Sequence, residues 1–134
     1  MSVTTASYQV GQHRKQGQRA AAGHTWSRRS SENPGCVIAR VEGELDAVLH
    51  DELRGLLARS GSALFRVVVL DLRATTFMSI RAAVMLAEAK ADVWRAGVEL
   101  RLVSGRKEVE RALEVAGVRP QFRYFPSLRA ALTT

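Results

Sequence analysis

Cysteine, proline and aromatic residues are all scarce in this chain: one Cys, three Pro and a 6% aromatic share among 134 residues. A lone Cys36 has no intramolecular partner and cannot by itself supply half a zinc site, so neither a disulfide framework nor a structural metal centre is encoded. It reads as a buried, inert thiol at the start of a strand. No run approaches the roughly 18 consecutive apolar residues of a membrane-spanning helix. The N-terminus holds no apolar stretch of the signal-peptide kind, and the expected address is cytoplasmic. Catalytic signatures are missing too: there is no G-x-x-x-x-G-K-[ST], no G-x-G-x-x-G after a strand, no H-E-x-x-H, no C-x-x-C and no G-x-S-x-G. His13 and His24 lie in or beside the N-terminal segment, and His50 falls in the first turn of a helix whose apolar face excludes it. Glu42, Glu44 and Asp46 alternate down a strand end, a spacing that acid–base chemistry can use. A solvated strand terminus with Asp46 as helix N-cap accounts for them more simply. The residues give no catalytic group, cofactor site or metal site, and the chain reads as a non-enzyme.

The chain has the length of one domain and an ordinary globular composition, 46% hydrophobic and 25% charged. Its net charge is +7. The first 35 residues carry five basic groups (Arg14, Lys15, Arg19, Arg28, Arg29) against Glu32, so more than half of the excess sits in the opening quarter. This is a basic tail on a nearly balanced domain. Residues 1–22 are polar and without period and are expected to be disordered; residues 23–134 form the domain. The tail lacks interleaved aromatics, which argues against a nucleic-acid-binding face.

Within the domain, His24–Arg29 and Cys36–Glu42 read as strands joined by the turn-forming Ser30–Gly35 stretch. Leu49, Leu53, Leu56 and Leu57 mark one face of a helix that Asp46 opens and Gly61 ends. Arg66–Leu72 is an almost continuous apolar run, suited to a central strand buried on both faces. Ile80, Ala83, Val84, Ala87, Ala91 and Trp94 mark the face of a long helix expected to lie on the sheet and to stop near Gly97. Val98–Val103 alternates, with Val98, Leu100 and Leu102 on one face and Glu99 and Arg101 on the other. A third helix carries Val109, Ala112, Leu113 and Ala116, a last strand covers Gln121–Phe125, and Pro126 opens a terminal helix. The order β-β-α-β-α-β-α-β-α predicts an α/β fold, a mixed sheet of four to five strands packed against about four helices.

Gly43-Glu-Leu-Asp46 after a strand, Val67-Val-Val-Leu-Asp-Leu-Arg-Ala-Thr-Thr-Phe-Met-Ser79 about twenty residues later, Gly97-Val-Glu-Leu-Arg-Leu-Val103, Ala-Gly-Val118 and Phe125-Pro-Ser-Leu128 together resemble the STAS domains of anti-sigma-factor antagonists over about residues 24–134. The resemblance implies transcriptional control by partner switching. The antagonist binds an anti-sigma factor, often a serine kinase of the histidine-kinase-like ATPase type, and so frees a sigma factor in stress signalling. Phosphorylation of a serine at the N-terminus of the helix after the central strand releases the antagonist. Its implied partner-binding residues here are Asp46, Met78, Ser79, Ile80 and Arg81. The family pattern after Phe-Met is Asp-Ser-Ser-Gly, with the second serine phosphorylated. This chain has Ser79-Ile80-Arg81-Ala82, with Ser79 at the Asp position and Arg81 at the phosphoacceptor position. Three readings follow: an antagonist that cannot be switched off at the usual site, a shifted acceptor at Ser79, or a Ser79 that only caps a helix in a decayed site. Arg81 opposes the helix dipole by about 0.3–1 kcal/mol; it either pairs with Asp46, faces a partner's carboxylate, or is a tolerated surface residue. The alternative functions are a nucleic-acid-binding or nucleotide-binding domain of the same fold. The expected state is a monomer or a weak dimer through the exposed first strand, with no membrane association.

Overall fold

The computed structural model describes residues 8–9, 24–61 and 65–133. Its strands are β1 (Tyr8–Gln9), β2 (His24–Arg29), β3 (Cys36–Leu45), β4 (Val67–Asp71), β5 (Thr75–Met78), β6 (Glu99–Val103) and β7 (Arg123–Phe125). The helices are α1 (Ala47–Gly61), α2 (Ile80–Arg95), α3 (Lys107–Val115) and α4 (Leu128–Leu132), with a 3-10 turn at Arg119–Gln121. The sheet runs β1-β2-β3-β4-β6-β7, and β5 pairs with the end of β3. β2 is antiparallel to β3 and to β1, while β3, β4, β6 and β7 are parallel. The α/β class and the mixed sheet are as the sequence predicts. The strand count is higher than the four to five expected, because Tyr8–Gln9 and Thr75–Met78 also pair. Tyr8–Gln9 falls within the 1–22 segment and pairs with Trp26 and Ser27; the remainder of that segment lies outside the described residues.

The period of two along the strands divides the interior into two layers. Val37, Ala39 and Val41 of β3, Val68 and Leu70 of β4, and Leu100 and Leu102 of β6 face one core under α1, α2 and α3. Cys36, Ile38, Val67, Val69 and Val103 face a second, smaller core under Ala131 and Leu132 of α4. All five residues of β4 are therefore buried, as its continuous apolar run implies. Cys36 is buried, and its surroundings raise the thiol pKa, chiefly by desolvation, so it is an inert packing residue. The side chains of Leu49 and His50 lie outside the described residues; Leu53, Leu56 and Leu57 are buried.

The face of β6 that carries Glu99 and Arg101 is largely shielded, with Glu99 at 27% exposure. α4 covers it, and Arg101, 3% exposed, donates to the Ala131 carbonyl at 2.6 Å and to Glu99 at 3.2 Å. Asn33 Nδ2 donates to the Leu132 carbonyl at 2.9 Å. Two distant side chains thus satisfy carbonyls at the end of a five-residue helix, which local sequence alone would not stabilise. Pro126 does not open this helix. Ser127 is its N-cap, accepting from Ala130 N–H at 3.0 Å. Both α2 and α3 end in Schellman motifs at Gly97 and Gly117, closed by Val98 N–H on Val93 O (2.9 Å) and Val118 N–H on Leu113 O (3.0 Å).

The largest correction concerns α2. Its buried face is Ala82, Ala83, Met85, Leu86, Ala89 and Val93. Of the face expected to lie on the sheet, only Ala83 is fully buried, whereas Ile80, Val84 and Trp94 are exposed. The helix carries two apolar stripes, and the sheet takes the one with the smaller side chains, which permits close approach.

Candidate functional site

The site grows from the end of β4. Asp71 is 1% exposed and holds the chain as it leaves the strand: its carboxylate accepts from Arg73 N–H at 3.0 Å, Arg73 Nε at 2.9 Å, an Arg73 terminal nitrogen at 2.8 Å and an Arg40 terminal nitrogen at 3.4 Å. Burial raises the pKa of this carboxyl, but the hydrogen bonds and charges of Arg73 and Arg40 outweigh it and leave the net shift downward. The turned chain then re-enters the sheet. Thr75 donates its buried hydroxyl to Val41 O at 2.9 Å, and Gly43 N–H donates to Ala74 O at 3.0 Å. β5 is thereby laid parallel to the last residues of β3, with Glu44 opposite Phe77 and Leu45 opposite Met78 after a shift at Gly43/Glu44.

That register decides the geometry of the site. Asp46 and Ser79 each follow the paired Leu45 and Met78 directly, so the two residues end adjacent parallel strands and the starts of α1 and α2 lie side by side. Ser79 N–H donates to Leu45 O at 3.0 Å, tying the two strand ends together. The Ser79 hydroxyl accepts from Ala82 N–H at 3.0 Å, the N-cap of α2. Ser79→Ala is expected to cost about 1 kcal/mol, whereas Ser79→Asp keeps a capping oxygen and stays near wild-type stability; urea denaturation of the two variants checks this, and equal losses would deny the cap.

The implied site residues separate by exposure. Met78 is 3% exposed and lies in the main core. Asp46 and Ser79 are half-buried, Ile80 is 51% exposed and Arg81 is exposed. The Asp46–Arg81 pair is not formed: no ion pair joins Arg81 to another described residue. The first turn of α2 carries no acidic residue, so this guanidinium stands uncompensated at the positive end of the helix. Beside it the structure adds Phe77 at 46% exposure and Val84 at 40%, and at the far end of α2 Trp94 at 65%, residues that the sequence reading did not place at a surface. Phe77 points opposite to the buried Met78 on β5. Exposed aromatic and branched apolar side chains beside an unpaired arginine have the composition of protein–protein interface cores.

Among the described residues, no group of three or more His, Cys, Asp or Glu is placed to hold a metal ion, and no helix is long and apolar enough to cross a membrane. A family model for the STAS domain matches residues 28–131. The chain belongs to the STAS family. Its STAS fold is similar to that of an anti-sigma factor antagonist from Mycobacterium paratuberculosis, at 21% identity and a TM-score of 0.74, covering 86% of this chain and 95% of that one. It is also similar to the anti-sigma factor antagonist SpoIIAA in its unphosphorylated form, at 14% identity and a TM-score of 0.60, with 71% and 84% covered. The murine anion transporter Slc26a9 matches at 22% identity and a TM-score of 0.64, over 72% of this chain but 17% of the transporter. No curated protein sequence matches.

Proposed function

We propose that this STAS protein is an anti-sigma-factor antagonist, acting by docking and not by catalysis, and that Arg81 removes its docking from control by phosphorylation. The observation that carries this reading is the patch at the start of α2, where Phe77, Ile80, Arg81 and Val84 are exposed beside Asp46 and Ser79. The partner is an anti-sigma factor of the histidine-kinase-like ATPase class. Binding it frees a sigma factor, and Asp46, Ser79, Ile80 and Arg81 are the contact residues.

Support comes from two directions. The antagonists similar in fold to this chain include SpoIIAA, seen in both unphosphorylated and phosphorylated forms. A phosphate at a helix N-terminus is favoured by the free N–H groups, and a dianion on a docking surface opposes an interface. Here the acceptor position carries a cation with no hydroxyl, and the neighbouring Ser79 hydroxyl is engaged as an N-cap. A serine so placed supports the helix in both states, so the chain is a constitutive binder.

The test mixes the full chain with its cognate anti-sigma factor and radiolabelled ATP. The expected result is a stable complex and no label on the wild-type chain. Arg81→Ser restores a hydroxyl, and this variant is expected to take label and to lose the complex once labelled. Absence of any complex would sink the antagonist reading; label on the wild type at Ser79 would sink the constitutive one and make Ser79 a shifted acceptor.

A further inference from the structure

We infer that the solvent-facing stripe of α2 is the interface of a reversible homodimer, packed antiparallel against α2 of a second copy. Ile80, Val84, Ala87, Ala91 and Trp94 follow one another at spacings of four, three, four and three residues, the period of a seam between two helices. This stripe lies opposite the face that packs on the sheet, and Ile80, Val84 and Trp94 stand substantially exposed. It spans about 20 Å at 1.5 Å per residue.

Three features of the stripe fit its own copy run backwards. The large side chains lie at the two ends and the small Ala87 and Ala91 lie between. In an antiparallel pair, Ala87 faces itself at the two-fold axis, the backbones approach closely there, and Trp94 of each copy covers Ile80 of the other. The charges on one flank are likewise self-complementary. Arg81, Glu88, Asp92 and Arg95 share that flank, and a two-fold axis perpendicular to the helices brings the same flank of both copies together. Arg81 then faces Asp92 of the second copy, twice over. Within one copy Asp92 bonds Arg54 at 3.2 Å and Arg95 at 2.9 Å, which holds its carboxylate in place, while Arg81 pairs with no described residue. Glu88, nearest the axis, is neutralised by Arg54 at 3.0 Å, so its approach to its own image is not opposed by a bare charge. A parallel pair would bring opposite flanks of the two copies together, so Arg81 would not meet Asp92 of the second copy.

The stripe by itself is smaller than the roughly 800 Å² per partner of a standard stable interface, so the dimer is weak and reversible. Ile80 and Arg81 also belong to the proposed docking site. On that reading, with which this consequence stands or falls, the dimer hides the docking surface and partner binding dissociates it.

Sedimentation equilibrium of the full chain from about 1 μM to about 1 mM tests the inference. The average mass is expected to rise from 14.7 kDa toward twice that value across the range. Ala87→Glu and Trp94→Glu, with unchanged circular dichroism, are expected to stay monomeric throughout. Arg81→Asp alone is expected to weaken dimerisation at least tenfold, and the swap Arg81→Asp with Asp92→Arg to restore it. A wild type monomeric at every concentration overturns the dimer and leaves the docking reading standing. A dimer that survives both Glu variants, pairing by a sheet edge, overturns it as well, and a charge swap that fails to restore association overturns the antiparallel arrangement.

Discussion

Replacing Leu86 by alanine is expected to lower the unfolding free energy by about 3–5 kcal/mol, while replacing Trp94 by alanine changes it by no more than about 0.5 kcal/mol. The two residues lie eight apart on α2 and are both large and apolar, and a hydropathy profile treats them alike. Leu86 is wholly buried in the main core, among the side chains of the sheet and the neighbouring helices. Truncating it loses the transfer free energy of the removed methyl groups and leaves a cavity that the tightly packed alanines of α2 cannot close. Trp94 stands largely in solvent at the far end of the other stripe, so its truncation removes little that folding buried. Chemical denaturation of both variants measures the contrast. Comparable losses would mean that the stripe assigned to solvent is packed against the body of the protein, and the docking surface and the dimer would both fall with it.

The second large effect is expected at Asp71. Asp71→Asn keeps the shape but removes the charge on which Arg40 and Arg73 converge, and hydrogen bonds to charged groups are worth about 1.5–3 kcal/mol each. Both guanidiniums reach solvent and recover part of their hydration, so the expected loss at neutral pH is about 2 kcal/mol, below the figure for breaking a fully buried pair. The sign of the pH dependence follows from the folded-state pKa, which is held below the ordinary 3.8. A carboxyl depressed in the folded state contributes stability that is complete above its unfolded pKa and is lost as pH falls through the folded value. The gap between wild type and Asp71→Asn is therefore expected to be widest near neutrality and to close as pH drops below 3.8. Urea titrations at about pH 7 and about pH 3 read it directly. A gap of the same size at both would show that Asp71 acts through shape and not through charge. Because the same carboxylate fixes the turn into β5, the variant is also expected to speed amide exchange at Thr75–Met78.

Much of the architecture was legible because it is local. The turn chemistry around Ser30–Gly35, the glycines that close α2 and α3, the unbroken Val67–Leu70 run and the alternation of β6 each follow from backbone preference or from a period that neighbours impose. β5 was not legible. Thr75–Met78 is four residues long, and its pairing depends on a partner more than thirty positions earlier, at the end of β3. The burial of Arg101 was not legible for a related reason: it depends on α4 reaching β6 from about thirty residues later, which no window around β6 contains. At the site, the chemistry of Ser79 and Arg81 could be read from residue type against the family pattern, but the exposure of Phe77, Val84 and Trp94 could not.

What the sequence determined by itself is most of the elements and their order, the STAS resemblance and, read against that family's pattern, an arginine in place of a serine at the head of α2, since these depend on residue identity and short-range spacing. What only the tertiary structure decided is which face of α2 meets the sheet. Both stripes have helical spacing and both are apolar, so periodicity is silent between them. The choice is made by volume: alanines and a few larger side chains allow the helix to sit close over β6, and a stripe bearing Ile80, Val84 and Trp94 would hold it away. The outward stripe is left as the apolar surface from which this protein can act.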